Sequence, residues 1–589
     1  MKDGFVVLPD VDNARVVESL PFEATEIVRF PSGRPWLAGR WRADEFIQVS
    51  SGSVRVALIG WCPVGATRLA ELAAKIRTPG DVDALARALP GSAHLIADVG
   101  GVVRVQGTIT GLRGVFHANV DGLTVAADRA DVLARLIGAG LDEDVLAVRL
   151  ISVKLPPPLG ERSVWRGVRA VPPDSYLTLQ PARVTRWWRA PEPELSLAEG
   201  APVVRAALRQ ATATPGGLSA DMSGGLDSTS LCFLTGREDL VTARMFNGDP
   251  GNDDPEWAAL AAAELPAADH VVIPRDDLPA MFGGLGTVVD TEAPVLNMRT
   301  AARNLRYAQL LATRDVRRHL AGHGGDQLFT APLSYLHTLT RKAPRTALSH
   351  VRGYRARYRW SRRETFAALV GDRGLAESWK RLADALDGPR PMPRRPHLDW
   401  LLPLRAPAWA APDLVATARR LFAEAAGDAE PFHDDRGQHG TLANLRAYSH
   451  SYRMMARTFR SGGLALRLPY LDDRVAEAVL AVRLSERTTP WRYKPLLVEA
   501  MRGVVPDAVL ARRTKGEFSV DAHSGLRDHL PGIMDLFADS MLAERGLIDV
   551  GVLRTRLLGA HRDNHGLLAL DATLSTELWL RAVSGLVTT

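Results

Sequence analysis

The sequence predicts an α+β domain followed by an α/β domain, and three observations carry that prediction. Short apolar or alternating runs separated by glycine turns fill the first third of the chain. From about residue 203 to residue 321, strand-like and helix-like segments alternate, the pattern of a parallel sheet with helices on both faces. Between these halves, Pro191-Glu192-Pro193-Glu194, followed by Ser196, Ala198 and Gly200, reads as a junction. The expected domains are therefore 1–195 and 196–589.

In the first domain, strands are expected at Phe5-Val6-Val7-Leu8, 53–59, 93–98 and 102–105. Helical segments are expected at 67–76 and 131–137, which makes the domain layered α+β. In the second, Val203, Val204, Ala207, Leu208 and Ala211 mark a helix leading to the short run Gly217-Leu218-Ser219-Ala220. Strands at 241–246 and 270–273 and helices at 257–265 and 301–311 follow. The chain from about 330 to 425 reads as helical, basic and interrupted by Pro389, Pro391, Pro393 and Pro396. Polar and apolar helices are then expected at 446–459 and 475–482.

At 589 residues, with 46% hydrophobic and 24% charged residues, the chain can bury a core in each domain and has the composition of neither a disordered nor a membrane protein. No long apolar stretch follows Met1-Lys2-Asp3-Gly4, so the expected location is cytoplasmic. Cys62 and Cys232 form no metal-binding or redox motif, and Cys232 falls on the apolar side of a helix, as a core thiol. The net charge of +6 is concentrated in Arg341-Lys342, Arg352, Arg355, Arg357, Arg359, Arg362 and Arg363, and in Arg394-Arg395. This run is either a solvated face or a guide for an acidic partner, peptide or RNA. Tyr354, Tyr358 and Trp360 lie among the arginines, but no RNA-binding motif accompanies them.

The chemistry centres on Asp221-Met222-Ser223-Gly224-Gly225-Leu226-Asp227-Ser228. Strand, glycine turn and helix in this order make a phosphate cradle. Adjacent glycines let N–H groups approach an anion, the helix N-terminus adds a favourable dipole, and Ser223 and Ser228 can donate hydroxyl hydrogen bonds. Asp227 would repel phosphate unless a cation lay between them, so the loop predicts Mg2+. It lacks the lysine and spacing of a Walker A loop. A second turn, Gly322-His323-Gly324-Gly325-Asp326, follows the apolar run at 318–321. Its Asp326 and Asp227 together could hold hydrated Mg2+ against a triphosphate, since that ion takes few protein ligands. His323 is open to two readings, a proton acceptor near neutral pH or a hydrogen-bonding turn residue.

The first loop resembles the pyrophosphate loop of ATP pyrophosphatases, which cut ATP between the α and β phosphates to make an adenylate. Residues 107–118 and 166–174 resemble parts of class II glutamine amidotransferase domains, of the Ntn type. That family uses a terminal cysteine, whereas Met1 is followed here by Lys2, so the first domain is expected to lack glutaminase activity. The loop, the Gly-Gly-Asp turn, Leu468-Pro469-Tyr470-Leu471-Asp472, Tyr493-Lys494-Pro495 and Lys515 together resemble the asparagine synthetase superfamily. The wording around His323, at 332–337 and at Lys515-Gly516-Glu517-Phe518-Ser519 looks most like lasso-peptide macrolactam synthetases, and next most like β-lactam synthetases.

The resemblance implies an AMP-forming ligase using ATP and Mg2+. Met222, Ser223, Gly224, Gly225, Leu226, Asp227, Ser228, Gly324 and Gly325 would line the nucleotide, with Asp227 and Asp326 on the metal. Lys494 matches a lysine that approaches the phosphates, and Lys515 one that stabilises the tetrahedral intermediate or departing AMP. The partners it implies are a ribosomal precursor peptide, a leader peptidase and a leader-recognition protein, with no membrane and no nucleic acid. A small-molecule amide ligase is the alternative within the superfamily. A tRNA-modifying adenylating enzyme and a non-catalytic scaffold are the alternatives outside it. No acidic residue lies between Asp435 and Asp472, where β-lactam synthetases carry the glutamate partner of the residue matching His323.

Overall fold

The computed structural model describes residues 4–246, 249, 251–287, 290–296, 298–389, 394–513, 516, 519–559 and 564–587. The chain forms two compact units. The first comprises 1–145, 161–190 and 471–477, and the second 146–160, 191–470 and 478–589.

Among the described residues, the first unit has twelve strands. They are β1 (Gly4–Val7), β2 (Glu26–Arg29), β3 (Pro35–Arg40), β4 (Phe46–Ser51), β5 (Val54–Trp61), β6 (Ser92–Val99), β7 (Val102–Gln106), β8 (Val115–Val120), β9 (Leu123–Ala127), β10 (Arg169–Val171), β11 (Ser175–Leu179) and β12 (Ala182–Arg186). Two six-stranded sheets result, in the orders β10-β8-β9-β1-β3-β2 and β12-β11-β7-β6-β5-β4. Phe5, Val7, Trp36 and Leu37 of one sheet share a buried cluster with Ala57, Ile59, Ile96, Val105 and Leu177 of the other. On its other face the second sheet buries Val56, Leu58, Leu95 and Ala97 against Leu69, Ala73, Val82 and Leu85 of two helices. The four strands expected from sequence are β1, β5, β6 and β7.

Leu471–Glu477 belongs to this first unit. Asp472 is buried there and accepts hydrogen bonds from the Gly91 and Arg474 amides at 2.7 and 2.9 Å. Burial outweighs these bonds and pushes its carboxyl up to about 7. Asp473, which accepts from the Ile109 amide at 3.1 Å, is also raised by burial.

The second unit holds a wholly parallel sheet of β13 (Leu218–Asp221), β14 (Val241–Met245), β15 (Asp269–Ile273), β16 (Arg318–Leu320) and β17 (Ala465–Arg467), in the order β15-β14-β13-β16-β17. The sheet order reverses between β13 and β16, so both glycine turns leave the carboxyl ends of the two strands flanking the switch point. In open α/β sheets this is where ligands bind. The helix Leu197–Thr212 begins at a capping box in which Ser196 and Glu199 satisfy each other's amides, so the junction seen in sequence becomes a helix start.

The helix expected at 446–459 runs over Arg436–Ser461. Asp435 caps it, accepting from Gly437 and Gln438 amides at 2.7 and 3.3 Å. Its first turns carry glycine and buried polar residues, which hide the apolar period. A Cβ on Gly437 would lie 2.5 Å from the Tyr335 side chain, so glycine there permits close helix packing. The basic stretch forms the helices Tyr335–Lys342, Pro344–Tyr358 and Arg362–Val370. Tyr354 and Trp360 are buried in a stack with Tyr358, and so serve the core of this region. Pro391 and Pro393 lie outside the described residues. Among the described residues, no helix is long and apolar enough to cross a membrane.

The raised carboxyl of Asp472 generates a pH prediction. An acid whose folded pKa exceeds its unfolded value contributes stability that is lost as pH rises, here from about 4 towards 7. Melting temperatures measured between pH 4.5 and 8 should therefore fall less for Asp472→Asn than for the unsubstituted protein. Parallel curves would contradict the assignment.

Candidate functional site

The loop after β13 is shaped by contacts that only glycine allows. Gly224 has φ +89°, and a Cβ there would lie 2.3 Å from the Asp254 carbonyl oxygen. Gly225 precedes the helix Leu226–Thr235, so its neighbouring amides lie at a helix N-terminus. Met222 is anchored by donating its amide to the Ala243 carbonyl at 2.8 Å. Ser223 and Ser228, expected to face an anion, have their Oγ atoms hydrogen-bonded together at 2.8 Å. The Gly225 amide also donates to Ser223 Oγ at 3.3 Å. The serines thus define the loop's curvature in this state.

The second turn packs directly against the first. A Cβ on Gly322 would stand 2.8 Å from the Ser228 amide nitrogen, and one on Gly325 2.5 Å from Asp227 Cγ. Gly324, at φ +95°, turns the chain into the short helix Gly325–Phe329. This brings the Asp227 and Asp326 carboxylates together on one ammonium group. Lys494 Nζ lies 2.6 Å from Asp326 Oδ1 and pairs with Asp227 Oδ2. Burial opposes the charge of Lys494, yet the two carboxylates outweigh it and raise its pKa. Tyr470, fully buried, donates its hydroxyl to the Asp227 carbonyl at 2.9 Å and so braces the same residue.

Two carboxylate oxygens converging on one cation position, beside two touching glycine turns, fit Mg2+. Among the described residues no group of three or more His, Cys, Asp or Glu could hold a metal. An ion on these two carboxylates would draw the rest of its coordination from elsewhere than the His, Cys, Asp and Glu side chains described.

His323 stacks on Tyr452 from the long helix, with ring centroids 5.0 Å apart and 26° between planes. Tyr452 in turn stacks on Tyr448, whose hydroxyl accepts a hydrogen bond from Lys154 Nζ at 2.5 Å. The position that sequence reasoning searched for an acidic partner thus supplies an aromatic face. Lys515 lies outside the described residues, as do Glu517 and Phe518. On either side of it, Arg512 and Gly516 both meet Asp254. Arg512 Nη2 is 2.6 Å from Asp253 Oδ1 and 2.6 Å from Asp254 Oδ1, and a Cβ on Gly516 would stand 2.1 Å from Asp254 Oδ2. Since the Asp254 carbonyl also backs Gly224, one residue contacts both the phosphate-type loop and the segment around Lys515.

Beneath the loop lies a network that sequence reasoning missed. Asp221 Oδ1 accepts from the Tyr307 hydroxyl at 2.8 Å and lies 3.0 Å from His319 Nε2. His319 Nδ1 is 2.8 Å from Ser219 Oγ, and His319 is fully buried. Burial alone would raise the Asp221 carboxyl, but His319 and Tyr307 outweigh it and hold it below the ordinary value. This network ties the ends of β13 and β16 together at the switch point. The alternation of Ser219 with Asp221 on an otherwise apolar strand, opposite His319, was the available signal.

A family model described as asparagine synthase matches residues 201–581. No curated protein matches the chain. Among solved structures, glutamine phosphoribosylpyrophosphate amidotransferase from B. subtilis complexed with ADP and GMP shares 11% identity, covering 56% of this chain and 76% of its own, with a TM-score of 0.20. The structure titled as the allosteric regulatory enzyme of purine biosynthesis shares 10% over 54% of this chain and 74% of its own, with a TM-score of 0.21. Similarity at those scores bears no argument about this chain.

Replacing Asp221 by Ala would leave the buried His319 and Tyr307 hydrogen-bonding groups without this acceptor, at a cost of roughly 2–4 kcal/mol. Denaturant unfolding should show that loss, and a change under about 0.5 kcal/mol would remove the network from the account.

Proposed function

The chain belongs to the asparagine synthase family, and from that premise we propose that it is an ATP-dependent macrolactam synthetase acting on a peptide. The observation that carries the adenylating half of this reading is the convergence of Asp227 and Asp326 beside two touching glycine turns. An Asp or Glu side-chain carboxylate of the peptide attacks the α-phosphorus of ATP, and the bond to the β-phosphate oxygen breaks to release pyrophosphate. The peptide's N-terminal amine then attacks the acyl carbon, AMP leaves, and an isopeptide bond closes the ring.

Each step has residues suited to it. Mg2+ held by Asp227 and Asp326 would supply charge compensation for the departing pyrophosphate. Met222, Ser223, Gly224, Gly225, Leu226, Asp227, Ser228, Gly324 and Gly325 would line the phosphates. Lys494 contacts the same oxygens. Lys515 stabilises the charge that develops as the amine adds, and His323, oriented by Tyr452, accepts the amine proton. Holding amine and acyl-adenylate together contributes several kcal/mol of barrier reduction, the larger part of the task for a peptide.

The amine comes from the substrate. Cys62 is buried and its thiol is pushed up to about 11 by burial, while burial raises Cys232 still further, so neither is a glutaminase nucleophile. We accordingly read 1–195 as an Ntn-type amidotransferase-like domain without glutaminase activity and 196–589 as the synthetase domain. The wording around His323 and the long helical insertion favour a peptide substrate over a small one. A leader peptidase and a leader-recognition protein would deliver it in the cytoplasm.

The test is product analysis with leader-free candidate peptides, ATP and Mg2+. Loss of one water from the peptide with release of AMP and pyrophosphate is expected. Asparagine or a small-molecule amide would instead assign the chain to its small-molecule relatives. Asp227→Ala and Asp326→Ala should each reduce pyrophosphate release by roughly a hundred- to a thousandfold, the scale of losing one charge-stabilising group at the reacting centre. Lys515→Ala should retain adenylate formation and lose ring closure, measured by trapping the adenylate with hydroxylamine. Equal loss of both half-reactions would contradict the role given to Lys515.

A further inference from the structure

Lys494 stands where the family's chemistry needs a metal. Its Nζ bridges the Asp227 and Asp326 carboxylates, 2.6 Å from the latter, and the residue is only 3% exposed. Its backbone has φ +43°, a left-handed conformation that is costly for a residue with a side chain and is followed here by Pro495. Strain of this kind persists where surrounding structure imposes it, and here it delivers one ammonium between two acids.

We propose that Lys494 is a resident counter-ion that keeps the carboxylate pair closed to divalent cations until nucleotide phosphates arrive, so that metal enters with the nucleotide. This rests on the reading of the site as a metal-nucleotide site. A divalent cation approaching the pair meets two acids already compensated by one ammonium, and is repelled by that ammonium at contact distance. A triphosphate changes both terms. It brings several negative charges for the metal, and it offers Nζ a new anionic partner, drawing Lys494 off Asp227 and Asp326. The same lysine then lies on the phosphates while the acids take the ion. The buried Tyr470 hydroxyl on the Asp227 carbonyl keeps that acid in place through the exchange.

Mn2+ binding followed by electron paramagnetic resonance, without nucleotide, tests this. Lys494→Met and Lys494→Gln should each gain one Mn2+ site, tighter than in the unsubstituted protein by roughly a hundredfold, the scale of removing one unit charge at contact in a partly buried site. Adding Asp326→Asn to Lys494→Met should abolish the gain. In the unsubstituted protein, α,β-methylene-ATP should make the site appear. Tight Mn2+ binding by the unsubstituted protein without nucleotide, lost in Asp326→Asn, would overturn the proposal. So would the absence of a gained site in both Lys494 variants. If those variants fail to fold, equal Mn2+ affinity with and without the nucleotide analogue in the unsubstituted protein overturns it. Failure of that protein to bind the analogue in equilibrium dialysis would overturn the functional reading itself. Normal analogue binding with no metal site gained in the folded variants would overturn the counter-ion role alone.

Discussion

The contact between two glycine turns, one after β13 and one after β16, is the constraint on which the second unit's site depends. Parallel strands on either side of a switch point leave a crevice at their carboxyl ends, but a crevice is not yet a site. What makes it one is that Gly322 and Gly325 have no side chain to hold Ser228 and Asp227 away. The backbones approach to the distance at which two carboxylates can share one cation. Every other feature of the site reinforces this approach, from the Asp221–His319 network below to Tyr470 behind Asp227.

Charge is then arranged in layers. The lowest layer joins the buried His319 and Tyr307 to the partly exposed Asp221 carboxylate and fixes the geometry at the ends of β13 and β16. In the next, the Asp227 and Asp326 carboxylates are compensated by the single ammonium group of Lys494. His323 is backed by the stacked rings of Tyr452 and Tyr448. Arg512 on Asp253 and Asp254 links the residues flanking Lys515 to the loop's own support.

The loop, both aspartates and the parallel character of the sheet were legible because they depend on local signals: adjacent glycines, apolar runs of strand length, and alternation with helices. The long helix from Arg436 was only half legible, since its first turns bury Gln438 and pack Gly437 against Tyr335, and tertiary contact replaces the apolar period there. The many strands of the first unit were missed where they are as short as Arg169–Val171 or as polar as Ala182–Arg186. The role of Lys494 as a bridge, the pairing of Arg512 with Asp254, and the ring under His323 join residues far apart in sequence. No spacing rule connects position 494 to 227 and 326. Only the fold does.

The central claim is that this site activates a carboxylate by joining it to the α-phosphate of ATP. It is tested most directly by supplying a substrate whose acceptor carboxylate carries 18O and analysing the nucleotide product by mass spectrometry. Transfer of one 18O atom into AMP is the predicted result. Release of ADP with the label in inorganic phosphate would contradict the account, because activation would then have occurred at the γ-phosphate and the paired glycine turns would serve a different reaction.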